Sequence, residues 1–352
     1  MPLLSRMIAT PVVIEIGPGA VRNLAPLLAD QRISAGGHVG VAVGPGLGSE
    51  IEAILGPAMA NAEIWTIEGG SVESAHELAG HLRGGFYDAL VAIGGGRTLD
   101  TAKHAATLTG VAMVAVATSL SHDGIASPVA SLEDHGRKGS YGVQMPVAVM
   151  VDLDYVKRSD PAMRRSGIGD AISNLGAVAD WRLAERERGE PVDGLAVTFA
   201  HTAAMAILPR EDGVEDESFL YALAEGLVLS GLAMATAGSS RPCSGGDHEI
   251  LHAIDHLFPG TAHHGELAGM ASLFTAHLRE DPAMFAALDG CLRRHGLPRS
   301  PQDLGLSIDQ FCQAVVAAPD TRPDRFTILE HLDLDEAEVR RRVDAFAEAV
   351  DR

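Results

Sequence analysis

Five histidines crowd one short stretch of the chain: His248, His252, His256, His263 and His264. The first three recur every fourth residue, which on a helix lines them along one face. Pro259-Gly260 breaks that helix before His263-His264-Gly265-Glu266 begins. Neutral imidazoles converging from two segments, joined by a carboxylate from a third, make a site for a first-row transition metal. A second reading shares the same residues. His248-Glu249-Ile250-Leu251-His252 matches HExxH, the helix in which two histidines of a zinc protease bind metal and the glutamate activates water. Glu266 then lies downstream, where a third ligand would be sought.

The first half carries a different chemistry. Asp88–Ile93 runs into Gly94-Gly95-Gly96, and Arg97-Thr98-Leu99-Asp100 opens the next helical segment. A glycine-rich turn from strand to helix lets backbone N–H groups approach an anion, and the helix N-terminus adds partial positive charge. The pattern is not GxGxxG, and a plain tight turn is the competing reading. The next strand strengthens the case. Met113–Ala117 ends in Thr118-Ser119-Leu120-Ser121-His122-Asp123-Gly124, followed by Ile125-Ala126-Ser127-Pro128. Polar residues at the C-terminal end of a parallel strand are where open α/β sheets bind ligands. The hydroxyls of Thr118, Ser121 and Ser127 suit a nucleotide, and Asp123 suits substrate hydroxyls or the nicotinamide end. A protease reading leaves both segments idle.

The elements that must position these residues differ between the halves. Val39–Val43, Glu63–Ile67, Ala89–Ile93, Met113–Ala117 and Ala148–Asp152 read as buried strands, with Val12–Ile16 as a further strand at an edge. Between them, Ile51–Leu55, Ala75–Leu82 and Leu99–Leu108 carry helix-spaced apolar positions. Alternation of this kind predicts a parallel sheet covered on both faces. From Ser159-Asp160-Pro161 onward the texture becomes helical, over 164–188, 195–208, 218–238, 247–257, 264–279, 282–295, 308–317 and 334–350. The expected architecture is an α/β dinucleotide-binding domain over residues 1–160 and an all-helical metal- and substrate-binding domain over 161–352, with ligands in the cleft between them.

Composition narrows the partners. The chain has 352 residues, enough for two domains, and 46% hydrophobic residues speak against disorder. A net charge of −20 repels nucleic acid, and the basic runs Arg164-Arg165 and Arg340-Arg341-Arg342 are too short to compensate. Three scattered cysteines, Cys243, Cys291 and Cys312, form no disulfide framework or CxxC site and fit a reducing compartment. The first ten residues make a poor signal peptide, and no uncharged apolar stretch reaches the roughly 18–20 residues of a membrane span. A cytoplasmic protein without membrane insertion is expected. Oligomeric state stays open, a homo-oligomer included.

Taken together, the Gly94–Asp100 and Thr118–Pro128 segments resemble the sn-glycerol-1-phosphate dehydrogenase family, within the wider group of glycerol dehydrogenases, iron-containing alcohol dehydrogenases and dehydroquinate synthases. Ser121-His122-Asp123-Gly124-Ile125-Ala126-Ser127-Pro128 is the most specific string. Ser166–Asn174, Arg241-Pro242-Cys243-Ser244-Gly245, His252–Asp255, His264-Gly265-Glu266 and Arg322–Leu329 extend the likeness over nearly the whole chain. The resemblance implies a dehydroquinate synthase-like fold, with a Rossmann-like parallel sheet followed by helices. It implies metal ligands at Asp170, His248 and His264, with zinc first and nickel or iron accepted by the same set. His252 and Asp123 would act on the substrate, which Asp170 also faces through the metal. Gly95, Gly96, Arg97, Thr98, Leu99, Asp100, Thr118, Ser119, Ser121 and Ser127 would line the site for NAD(H) or NADP(H).

The reaction so implied is reduction of a small phosphorylated substrate, dihydroxyacetone phosphate, to sn-glycerol 1-phosphate. In it His252, with an imidazole pKa near 6.5, would serve as proton shuttle. A polyol or other phosphosugar dehydrogenase is the alternative on the same scaffold. A cyclase of the dehydroquinate-synthase type is more remote, since it uses a glutamate ligand where this chain offers Asp170. Two positions depart from the family pattern: Gly246-Asp247 stands where Ser-Glu is usual, and Arg97 where lysine is common.

Overall fold

The computed structural model describes residues 8–34, 38–45, 50 and 62–351. The segment Ile51–Leu55, expected to be helical, lies outside the described residues. The chain divides into two compact units, one of Met1–Leu120 with Gly124–Ser159, the other of Ser121–Asp123 with Asp160–Arg352.

The first unit is built on a six-stranded parallel sheet. Its strands are β1 (Val13–Gly17), β2 (His38–Val43), β3 (Glu63–Thr66), β4 (Tyr87–Gly94), β5 (Ala112–Ala117) and β8 (Ala148–Asp152), in the order β1-β8-β5-β4-β2-β3. β1 is the edge strand that its sequence predicted, paired parallel to β8. Central β4 reads ALVAIG from Ala89 because both of its faces are covered, and every one of those residues is buried. Leu24, Leu27 and Leu28, from the short helix α1 (Leu24–Leu28), pack with Val41, Val91, Val114 and Met150 on one side of the sheet. Helix α2 (Val72–Gly84) starts where the Ser71 hydroxyl accepts from the Ser74 N–H, and helix α3 (Gly96–Thr109) ends at Gly110 with φ +74°.

One element interrupts the strand–helix alternation. Strands β6 (Val129–Asp134) and β7 (Arg137–Gly142) form an antiparallel hairpin, closed by His135 and Gly136 at φ +50° and +78°. Two central residues with positive φ make the tight hairpin turn whose twist matches the strands. Lys103, wholly buried on α3, pins the hairpin. Its ammonium pairs with Asp100 at 2.8 Å and donates to the Val129 carbonyl, while Asp100 accepts from the Ser131 N–H at 3.1 Å.

The second unit is helical. Its elements begin with α5 (Pro161–Arg188), after the short α4 (Leu153–Arg158) that closes the first unit. Then come α6 (Gly194–Met205), α7 (Glu217–Ala237), α8 (Gly246–Leu257), α9 (His264–Leu278), α10 (Pro282–Arg294), α11 (Ile308–Ala317), α12 (Ile328–Leu332) and α13 (Glu336–Val350). Asp160 caps α5 by accepting from Ala162 N, Pro161 occupies its first turn, and Gly189 ends it at φ +69°. Helix α7 is long and apolar enough to cross a bilayer by length and composition. However, 72% of its apolar window is buried inside this unit, as in a core helix.

Candidate active site

Two glycines bring the metal-ligand candidates together. α5 and α9 cross so closely that a Cβ on Gly169 would meet the Gly265 carbonyl, and a Cβ on Gly265 would meet the Ser166 carbonyl. Asp170 follows the first glycine and His264 precedes the second, so this crossing sets their side chains face to face. His264 Nε2 lies 3.4 Å from Asp170 Oδ1, and His248 Nε2, from α8, lies 4.0 Å from the same oxygen. The three donor atoms are within 4.8 Å of one another. The other such group among the described residues, Glu73, Asp134 and His135, includes exposed side chains of the α/β unit.

The surroundings favour an ionised carboxylate at Asp170. Burial alone would raise the Asp170 pKa, but His264, His248 and His122 outweigh it and hold the carboxyl below its ordinary range. Burial likewise pulls His264 down, and the hydrogen bond and charge of Asp170 push it above the usual imidazole value. His248 Nδ1 lies 2.8 Å from Asp247 Oδ1. Because an ionised carboxylate only accepts, Nδ1 donates this bond, and in the neutral ring it is then Nε2, on the side of Asp170, that carries the lone pair. The segment Ser121–Asp123 completes this side: Asp123 N–H donates to Asp170 Oδ2 at 2.8 Å, and Ser166 Oγ donates to the Ser121 carbonyl at 2.9 Å.

His252 does not behave as its spacing suggested. Its Nε2 lies 2.9 Å from a guanidinium nitrogen of Arg322, which can only donate. Burial, then the Arg322 charge, hold its pKa well below 6.5. It is a neutral acceptor, and the expectation of a titrating proton shuttle is corrected. The HExxH reading fails on the same geometry, since the second histidine of the motif faces a cation. Glu249 accepts from Thr327 Oγ1 at 3.0 Å, and burial with the neighbouring Glu330 pushes its pKa up to about 9. Glu266 accepts from the His263 N–H in a capping box at the start of α9, and His256 is exposed.

On the α/β unit, the Gly94–Gly96 turn joins β4 to α3 as predicted. Gly95 is the N-cap of α3, at φ −85° and ψ −175°, with no side chain bonding the first turn. That extended backbone suits any residue; the constraint is space, since a Cβ there would lie 3.1 Å from Ser119 Oγ. Gly94 and Gly44 both face Thr98, whose Oγ1 would lie 2.7 Å from a Cβ on either. Among the predicted cofactor residues, Gly95, Gly96, Arg97 and Ser119 border this turn, and Arg97 is exposed. Others are turned to support. Leu99 is a wholly buried core side chain, Asp100 is held by Lys103 and Ser131, and Ser127 Oγ donates to the Val129 carbonyl at 3.0 Å. The Leu99 and Asp100 side chains thus serve packing and hydrogen bonding within this unit. Thr118 is buried at the end of β5, its N–H bonded to the Gly94 carbonyl.

Residues 15–159 match the family model of iron-containing alcohol dehydrogenases. Over 328 residues the chain is 31% identical to a glycerol-1-phosphate dehydrogenase (NAD(P)+) of Staphylothermus marinus, covering 92% of each. The enzyme of the same name from Archaeoglobus fulgidus is 36% identical over 275 residues, 76% of this chain and 78% of that one. The chain belongs to the glycerol-1-phosphate dehydrogenase family. A probable glycerol dehydrogenase from Sinorhizobium meliloti shares its fold, with a TM-score of 0.79 at 21% identity over 98% of this chain and 99% of that one. As a member of the glycerol-1-phosphate dehydrogenase family, the protein is an oxidoreductase.

Several residues that shape this family member's site carried no signal as ligands. Asp247 stands where the family pattern has glutamate, and only the fold shows it bonded to the ring of His248. Asp180 anchors the start of α8 by accepting from Gly246 N–H at 2.8 Å, and it also accepts from Ile328 N–H at 2.8 Å and pairs with Arg279. These partners are far apart in sequence, so no local pattern could reveal them.

Proposed function

We propose that this chain is a metal-dependent, NAD(P)H-linked dehydrogenase that reversibly reduces dihydroxyacetone phosphate to sn-glycerol 1-phosphate. The observation that carries the proposal is the meeting of buried Asp170 and His248 with half-buried His264 in a chain of this family. One carboxylate and two imidazoles suit a divalent ion that keeps open positions, zinc first and nickel or iron next. When bound, the metal supplies Lewis-acid polarisation of the ketone and the nicotinamide supplies hydride. The chain's own part is positional. Asp170 brings the negative charge that neutralises part of the cation, Asp247 fixes the His248 tautomer, and Asp123 N–H steadies the second oxygen of Asp170. The open N-terminus of α3 after Gly95 offers backbone donors to the dinucleotide phosphates, with Arg97 beside them. Together with Asp123 near the metal, His252 faces the substrate as a neutral ring. The cytoplasm is the proposed location, and a small phosphorylated ketone the proposed partner.

A spectrophotometric assay tests the reading. Purified protein, given zinc, nickel or iron in turn, should oxidise NADH or NADPH only when dihydroxyacetone phosphate is added. Chiral analysis should identify the product as the sn-1 phosphate. Faster turnover of unphosphorylated dihydroxyacetone would move the protein to the polyol dehydrogenases.

A further inference from the structure

We infer that Arg322 and Arg325, converging on the Ser240 hydroxyl beside His252, seat the phosphate dianion of the substrate. The inference rests on the proposed function and adds the residues that would make the site select a phosphorylated ketone.

Both arginines stand in the loop that leads into α12. Arg325 N–H bonds back to the Arg322 carbonyl at 2.9 Å, so the loop turns tightly and sends both side chains the same way. Arg325 donates from one nitrogen to Ser240 Oγ at 2.6 Å and from the other to the Ser244 carbonyl. Arg322 reaches the same Ser240 Oγ at 3.3 Å, and its second terminal nitrogen reaches His252 Nε2 at 2.9 Å. Two guanidinium forks therefore meet at one small hydroxyl, all three residues being half-buried.

Neighbouring charged side chains have their own partners as well. The third arginine nearby, Arg241, is held bidentately by Glu190 at 2.8 and 2.7 Å. Glu249, whose carboxyl bonds to Thr327 Oγ1, lies close enough to influence both arginines, and Glu190 also acts on Arg325. Burial first, then the Arg322 and Arg241 charges, lower the pKa of Arg325 to about 10. Two adjacent, partly desolvated cations are costly unless an anion joins them, and planar forks fit phosphate oxygens bidentately.

The place also suits the chemistry. The His252 ring lies 6.5 Å from the His248 ring, which lies 5.3 Å from that of His264. The arginine pair thus stands one imidazole away from the metal-ligand set. In dihydroxyacetone phosphate the phosphate ester sits on the carbon next to the carbonyl. A carbonyl at Asp170, His248 and His264 would leave its phosphate on the side of Arg322 and Arg325. The loop that carries the two arginines is anchored at its far end, where Thr327 Oγ1 caps α12 and bonds Glu249, and Asp180 holds Ile328 N–H.

The test compares Arg325→Gln and Arg322→Gln with wild type on dihydroxyacetone phosphate and dihydroxyacetone, with metal content measured on each protein. The ratio of kcat/KM for the phosphorylated over the plain ketone should fall about 10- to 100-fold, the loss expected of charge-assisted bonds. Inhibition by inorganic phosphate, competitive with dihydroxyacetone phosphate, should weaken in parallel while metal content stays normal. An unchanged ratio, or a loss shared equally by both ketones, would overturn the assignment and leave the arginines a scaffold. If wild type itself shows no preference for the phosphorylated ketone, the functional reading fails. Calorimetric titration with inorganic phosphate then decides the subsite alone. Binding abolished in Arg325→Gln upholds it, and binding that is absent in wild type or survives the substitution rejects it.

Discussion

At the scale of single residues, the site depends on which atom of each ring is free. Asp247 holds His248 Nδ1–H, and that bond leaves Nε2 to face Asp170. Removing a ligand and removing its orienting partner should therefore differ in degree. His264→Ala leaves two of three donors and should lose nearly all bound metal, read by elemental mass spectrometry, and nearly all turnover. Asp247→Asn keeps an accepting oxygen of the same shape but weakens the acceptor, so metal affinity against a competing chelator should fall about 10- to 100-fold. Stoichiometric metal in His264→Ala would remove it from the ligand set. Glu249 gives a complementary test. Its carboxyl is bound to Thr327, away from the role that HExxH would give it. Glu249→Gln should retain most ketone reduction; metal-dependent peptide cleavage abolished by this substitution would revive the protease. The histidine cluster was legible in the sequence, and the structure brings its His248 and His264 together with Asp170, but His252 as a neutral partner of Arg322 was not, because 70 residues separate the pair.

At the scale of elements, the turn between β4 and α3 makes the cofactor testable. Gly95 has an ordinary backbone conformation, and a Cβ there meets only Ser119 Oγ within 4 Å, at 3.1 Å. Gly95→Ala should therefore fold, with a small rotation of the Ser119 hydroxyl. The added methyl stands at the helix N-terminus where a pyrophosphate would approach, so fluorescence titration with reduced cofactor should show affinity down by at least about tenfold. Metal content, set by the other unit, should not change. Full cofactor affinity in the folded variant would place the pyrophosphate elsewhere. Strand and helix periodicity made most elements readable, although α5 begins at Pro161, ahead of the 164–188 span read from spacing. The β6–β7 hairpin was missed, although Val129–Asp134 alternates buried and less buried positions and His135-Gly136 follows. Its signal was overshadowed by the polar loop before it. Lys103 was missed for a different reason: a fully buried lysine is legible only once Asp100 and the Val129 carbonyl are seen around it.

At the scale of the whole molecule, the proposed metal-ligand set draws on parts of the helical unit that are far apart in sequence. Asp170 belongs to α5, His248 to α8 and His264 to α9, while Ser121–Asp123 is bonded to α5 from a segment before it. A ligand that binds only the folded state adds stability by mass action, and this one would bind where those segments meet. At a free metal concentration a hundredfold above Kd the gain is about 2.7 kcal/mol. For a unit of this size that corresponds to a rise of roughly 5–10 °C in its unfolding transition. Scanning calorimetry of the metal-loaded protein, the chelated protein and His264→Ala should show this rise in the first alone. The chelated wild type and the variant should melt close together, because the variant lacks the site rather than the fold. Reduced cofactor offers a control, since its proposed contacts lie in the other unit and should survive chelation. A transition that ignores metal in the wild type, under conditions where elemental analysis finds it bound, would mean that the ion sits outside the Asp170, His248 and His264 junction.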